Sequence, residues 1–297
     1  MNRNSKFIID SDVDLQNTLD SGQSFAWEKL DHEKSILFKG FYNDYEILLE
    51  QKVDHIDVEI LNNKQHENFI NDFKNYLGDR PSELKNYKLL INDPVISPVI
   101  NRYPGLRILK QDPWECIVGF ITSSCSNLQR IKHHIKLLRE INADKFPLPY
   151  EILFMGEKKL RELGFGFRAP YIINIAEALT NELIFIEELE NKSYEFALNE
   201  LVKVKGIGRK IADCILAYSF NKTESFPVDR HVLNGLIRWY DFPININPIK
   251  ASDIARNMFG DISSHAQQYI FHRQRLASRA SNWGGSHKEL AISSDIN

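Results

Sequence analysis

The sequence predicts an α+β protein. Residues 1–105 are expected to form an antiparallel, twisted β-sheet domain, residues 106–285 a mostly α-helical region with a helix-hairpin-helix at about 194–220, and residues 286–297 a C-terminal tail. Three observations carry this reading. In "SILFKGFYNDYEILLEQK" (35–52) apolar and polar residues exchange about every second position, the period of a half-buried strand, with "YNDY" supplying a turn. From about residue 106 the period becomes helical. The third is "VKGIGRKIADCI" (204–215, read with Leu201–Lys203 before it), where two glycines separate stretches that both read as helix.

The elements follow in order. The N-terminal run gives the hairpin of a sheet, and "PWECIVGFITSSCSNLQRIKHHIKLLREI" opens the helical part, with breaks at "PLPY" and "GFGFRAP". Further helices are expected over 171–182, 194–203, 209–220, 230–240, 248–259 and 264–281, with a loop at "NINP". No internal repeat is evident, and the last dozen residues read as a loose end.

Composition narrows the function classes. At 297 residues with 43% hydrophobic and 26% charged residues, the chain can bury a sizeable core. Neither a signal-peptide pattern nor an apolar run of about 18 residues is present, so a soluble, cytoplasmic protein is expected, nucleoid-associated in a bacterium. Cys116, Cys125 and Cys214 form no C-x2-C pair, which excludes structural zinc held by cysteine alone and a four-cysteine iron-sulfur cluster. The net charge of −3 excludes a histone-like polycation, but it is uneven. Residues 1–100 hold 11 Lys and Arg against 18 Asp and Glu, net −7, leaving 26 against 22, net +4, for the rest. The basic runs "RIKHHIKLLR" (130–139) and "FHRQRLASR" (271–279) are either phosphate-facing or solvated helix faces.

Chemistry concentrates around the two glycines. Gly206 and Gly208 permit a tight reversal between helices and leave backbone N–H groups at a helix N-terminus, a ready phosphate site. Lys210 lies in the first turn of the second helix, where the macrodipole works against its ammonium form. Cys214, four residues on, shares its face, while Ile207, Ile211 and Ile215 make a separate packing stripe. By itself this helix fits either an exposed lysine beside a buried cysteine or an amine placed for chemistry. Asp229, in "FPVDRHV", sits just before a helical pattern, where a carboxylate can cap the helix and face a developing cation at once.

"VKGIGRKIADCI" followed by "FPVDRHV" resembles the helix-hairpin-helix DNA glycosylase superfamily. "SGQSFAW" (21–27), "QDPWECIVGFITSS" (111–124), "LGFGFRA" (163–169) and "HAQQYIF" (265–271) resemble its 8-oxoguanine DNA glycosylase/AP lyase branch in the same order, over about residues 20–280. The resemblance implies an N-terminal sheet like half of a TATA-binding protein and an active site between helical domains. It implies that a flipped nucleotide is attacked at C1′ by Lys210, that the base leaves, and that a Schiff base permits β-elimination on the 3′ side, with Asp229 assisting.

The same resemblance assigns a pocket. Gly22 offers its carbonyl to the N7–H of 8-oxoguanine, Phe271 and Cys214 take the two faces of the base, and Gln267 reads its Watson–Crick edge. Cys125, Asn127, Arg130, Arg168, Gly206, Gly208 and His231 are assigned to DNA, Arg130 and Arg168 to the unpaired cytosine. Three positions depart from the family: Cys125 where an asparagine commonly fills the gap left by the base, Lys205 where a proline is common, and Phe167 where a tyrosine often precedes the arginine. The expected partner is double-stranded DNA containing 8-oxoguanine, bound by a monomer away from any membrane. No cofactor and no catalytic metal are required, although the hairpin carbonyls could seat a structural monovalent or divalent cation. The competing readings are an alkylated-base glycosylase, which needs no lysine, and a non-catalytic lesion binder.

Overall fold

The computed structural model describes residues 5–32, 35–62 and 67–283. Five strands form one antiparallel sheet in the order β1-β5-β4-β3-β2: β1 (Ser5–Asp10), β2 (Trp27–Leu30), β3 (Ile36–Tyr42), β4 (Tyr45–Gln51) and β5 (His55–Ile60), with α1 (Leu15–Leu19) between the first two. The expected hairpin is β3–β4, in register Ile36 to Gln51 and Tyr42 to Tyr45. Its turn begins at Asn43 in the left-handed region (φ 52°), which asparagine tolerates better than most residues. Alternation puts Phe38, Ile47, Leu49, Ile56 and Val58 into a core shared with Phe69 and Phe73.

Helices begin well before residue 106. The chain runs through α2 (Phe69–Tyr76), α3 (Pro81–Leu90) and α4 (Ser97–Arg102) before reaching α5 (Pro113–Thr122), α6 (Leu128–Glu140), α7 (Pro149–Glu162) and α8 (Ala169–Thr180). Then come α9 (Ile186–Asn191), α10 (Tyr194–Lys203), α11 (Arg209–Tyr218), α12 (Arg230–Trp239), α13 (Pro248–Phe259) and α14 (Ser263–Trp283). Prolines open α3, α5, α7 and α13, where a missing N–H costs nothing. The tail expected at 286–297 lies outside the described residues.

Two helical cores flank the future site. One gathers Trp114 through Phe220, including α11, and the other joins Tyr87, Ile96 and Val99 of the early helices to Phe226, Val232 and Tyr269. Residues 81–102, grouped with the sheet by the sequence reading, therefore pack with α12 and α14. A buried hydrogen bond supports that seam: His265 Nε2 lies 2.6 Å from Glu83 Oε2, whose Oε1 accepts from Arg80 at 2.8 Å. Among the described residues no helix is long and apolar enough to cross a membrane.

Candidate active site

Lys210, Cys214 and Tyr218 recur every four residues along α11, and Gln267, Phe271 and Arg275 do the same along α14. At 3.6 residues per turn each set is one stripe, and both stripes line a single cavity of ≈470 Å³. Gly22, Phe25, Phe120, Asn127, Asp229 and His231 complete much of its wall. Phe120 stacks on Tyr218 with centroids 5.5 Å apart, Phe25 meets Phe120 edge-on at 5.3 Å, and the Lys210 amine sits 5.5 Å from the Phe120 centroid. An apolar cavity with a few convergent polar groups is the usual form of a small-molecule site.

The hairpin aims Lys210. Gly206 has φ +107°, and a Cβ there would fall 2.3 Å from the Tyr171 ring, so only glycine makes this turn. Gly208 then caps α11 in extended conformation, with open space where its side chain would be. The N–H groups of the first turn lack helical acceptors, so this end of α11 suits a phosphate. Behind it, buried Asp213 accepts from Arg209 Nε at 2.9 Å and from the Tyr194 hydroxyl, tying α11 to α10, while Arg209 reaches Asp253 of α13 at 2.9 Å. This brace sets the rotation of α11, and with it the direction of Lys210.

Asp229 is the N-cap of α12, its Oδ1 accepting from Val232 N at 2.8 Å. Burial pushes the Cys214 thiol up to about 12, although the nearby Lys210 charge pulls the other way. Gly22 (φ +84°) brings its backbone against Phe271, whose ring lies 3.6 Å from where a Cβ would stand. The segment is anchored by buried Gln23, whose amide donates to Arg107 O at 2.7 Å and accepts from Leu109 N at 3.0 Å. Asp20 binds Lys132 of α6 at 3.0 Å, and its carbonyl accepts from Arg275 at 2.5 Å, joining this segment to both flanking helices.

Of the residues assigned from sequence, Lys210, Asp229, Gly22, Cys214, Gln267, Phe271, Asn127 and His231 line the cavity. Asn127 caps α6 by accepting from Arg130 N at 3.0 Å, and His231 packs edge-to-face on Phe271 at 5.9 Å. Arg130 is exposed at the start of α6, and Cys125 is exposed at the tip of the preceding loop with φ +50°. Arg168, which the resemblance assigns to the unpaired cytosine, is drawn into the protein here. It is 3% exposed, and its guanidinium turns inward to Ser124 O at 2.7 Å and Cys125 O at 2.9 Å, under the Phe167 ring. Those carbonyls would otherwise be left without donors where the chain reverses between α5 and α6.

The basic runs also divide. Arg139 is buried against Glu115 at 2.5 Å, and Arg273 donates to Val95 O at 2.6 Å beneath Trp239, so both serve the fold. Sequence reasoning missed Tyr218, Phe120 and the anchor Gln23. The four-residue step from Lys210 through Cys214 already pointed to Tyr218 one turn further on.

Residues 6–117 match the family described as "8-oxoguanine DNA glycosylase, N-terminal domain", and residues 118–258 match "HhH-GPD superfamily base excision DNA repair protein". The N-glycosylase/DNA lyase of Saccharomyces cerevisiae is 29% identical, over 82% of this chain and 72% of that protein. The N-glycosylase/DNA lyase OGG1 of Arabidopsis thaliana is 26% identical, over 76% and 66%. The crystal structure of Clostridium acetobutylicum 8-oxoguanine glycosylase/lyase with double-stranded DNA containing cytosine opposite 8-oxoguanine superposes with a TM-score of 0.83. Its identity is 26%, covering 93% of this chain and 99% of that one.

Proposed function

The chain belongs to the HhH-GPD superfamily of base excision DNA repair proteins, in the branch carrying the N-terminal domain of 8-oxoguanine DNA glycosylases, and from that premise we propose that Lys210 is the nucleophile of a bifunctional 8-oxoguanine DNA glycosylase/AP lyase. The observation that carries the assignment is the Lys210 amine on the wall of a cavity that also holds Asp229, Cys214, Gln267 and Phe271.

The chemistry follows from those groups. A nucleotide turned out of the duplex enters the cavity, its base between Cys214 and Phe271 and its edge toward Gln267. The Gly22 carbonyl accepts from N7–H, a donor that 8-oxoguanine has and guanine lacks. Lys210 Nζ bonds to C1′ as the C1′–N9 bond breaks, and the base departs with the electron pair and takes up a proton. Opening of the sugar turns the adduct into an imine. Loss of a C2′ proton then expels the 3′ phosphate, cutting the strand. Asp229 faces the sugar as positive charge develops there and stabilises it. The open N-terminus of α11 takes a phosphate, and cytosine is the preferred partner base.

Borohydride reduction in the presence of a duplex containing 8-oxoguanine tests the reading. The parent protein should form a stable covalent adduct and Lys210→Gln none, because only a primary amine gives a reducible imine. Excision without any trapped adduct in the parent would favour an aspartate-and-water glycosylase, and lesion binding without excision a non-catalytic binder.

A further inference from the structure

The Tyr218 hydroxyl lies 3.0 Å from Gln267 Oε1 and 2.8 Å from Gln268 Oε1, while Gln268 Nε2 is buried with no partner. Tyr218 is 4% exposed and Gln268 2%, and the Gln268 amide nitrogen itself is shut off from solvent. One hydroxyl carries one proton and cannot donate to two oxygens at once. The network closes when Gln268 turns its amide nitrogen to the hydroxyl oxygen and the hydroxyl donates to Gln267. That order also removes a buried N–H without an acceptor, rarer in folded proteins than an under-used carbonyl.

We propose that Tyr218, held by Gln268, is a specificity-determining residue that fixes the Gln267 carboxamide with its oxygen inward and its nitrogen toward the cavity. The inference rests on the proposed reading of the cavity as a base pocket. An amide held this way donates. It complements the O6 carbonyl of an oxopurine edge, and it meets an exocyclic amine, as on an adenine-type base, donor to donor. Burial pushes the Tyr218 hydroxyl far above its usual range, so the proton stays in place to hold the order. The stack on Phe120 keeps the ring from swinging away. Tyr218 is thus a positioning residue acting through Gln267.

The test compares single-turnover excision of 8-oxoguanine, 8-oxohypoxanthine and 8-oxoadenine, each opposite cytosine, by the full-length parent, Tyr218→Phe and Gln268→Met. Tyr218→Phe keeps the stacked ring and loses only the hydroxyl; Gln268→Met keeps the volume and loses the donor. In both variants the rate ratio of 8-oxoguanine to 8-oxoadenine should fall by about tenfold, the order of one hydrogen bond's net contribution. The 8-oxoguanine to 8-oxohypoxanthine ratio should hold, since both bases present O6. Because each ratio is internal to one variant, a general loss of stability does not imitate the effect. Lesion ratios within twofold of the parent in both variants would overturn the inference while borohydride trapping by the parent stood; no trapping by the parent overturns the base-pocket reading and this inference with it.

Discussion

Lys210 and Cys214 stand one turn apart on α11 and line the same cavity wall. Burial raises the Cys214 thiol to about 12, so it remains neutral near pH 7 and is no rival nucleophile. Cys214→Ser should therefore still trap with borohydride. In the native protein iodoacetamide should label exposed Cys125 and spare buried Cys116 and Cys214. Loss of the trapped adduct in a folded Cys214→Ser variant would mean that the thiol is needed to keep the Lys210 amine reactive.

Asp229 caps α12 through its Oδ1, and asparagine caps almost as well as aspartate. Asp229→Asn should thus keep the melting temperature close to the parent's while single-turnover excision falls by ~10²-fold or more, the scale of one preorganised electrostatic group. Asp229→Ala should lose excision and also ~1 kcal/mol of stability. Parent-like excision by Asp229→Asn would leave the residue a cap and nothing more.

Glu115 gives stability a pH dependence. Burial raises its carboxyl from 4.5 to about 7, against the pull of the Arg139 guanidinium. A carboxyl that holds its proton more tightly folded than unfolded contributes stability that is complete below about 4.5 and is lost as pH rises through about 7. Between pH 5 and pH 8 the Glu115→Gln variant, which can still accept from Arg139, should show a smaller fall in melting temperature than the parent. Parallel profiles would assign the pH dependence to other groups.

Much of this was legible in the sequence, for particular reasons. The β3–β4 hairpin alternates cleanly because one face packs on Phe69 and Phe73, and the helices from α8 onward repeat at 3.6 because each packs along one stripe. Lys210 and Cys214 could be paired because four residues make nearly one turn. The inward turn of Arg168 was not legible for a different reason: it depends on carbonyls 43 and 44 residues earlier in the chain. Gln268 went unassigned, since a glutamine at helical spacing carries no sign by itself of which side chains it meets across the fold. Helices α3 and α4 were obscured because their apolar residues meet α12 and α14, more than a hundred residues away.

The inward turn of Arg168 changes what its removal should do. Its donors to Ser124 O and Cys125 O hold the loop that carries Cys125, and Cys125 sits in the left-handed region (φ +50°), where asparagine is more at ease than cysteine. Arg168→Ala leaves two carbonyls without their donor and loosens the loop tip, at a cost of ~1 to 3 kcal/mol. If Arg168 acts through the loop, excision in this variant should slow by a similar factor opposite cytosine, adenine, guanine and thymine. Cys125→Asn should do the reverse, speeding excision opposite every base, because its amide fits the strained backbone and fills the vacated stack better than a thiol. Single-turnover rates against all four partner bases decide the matter. A loss confined to cytosine in Arg168→Ala would mean that the guanidinium leaves the loop and reads the partner base itself.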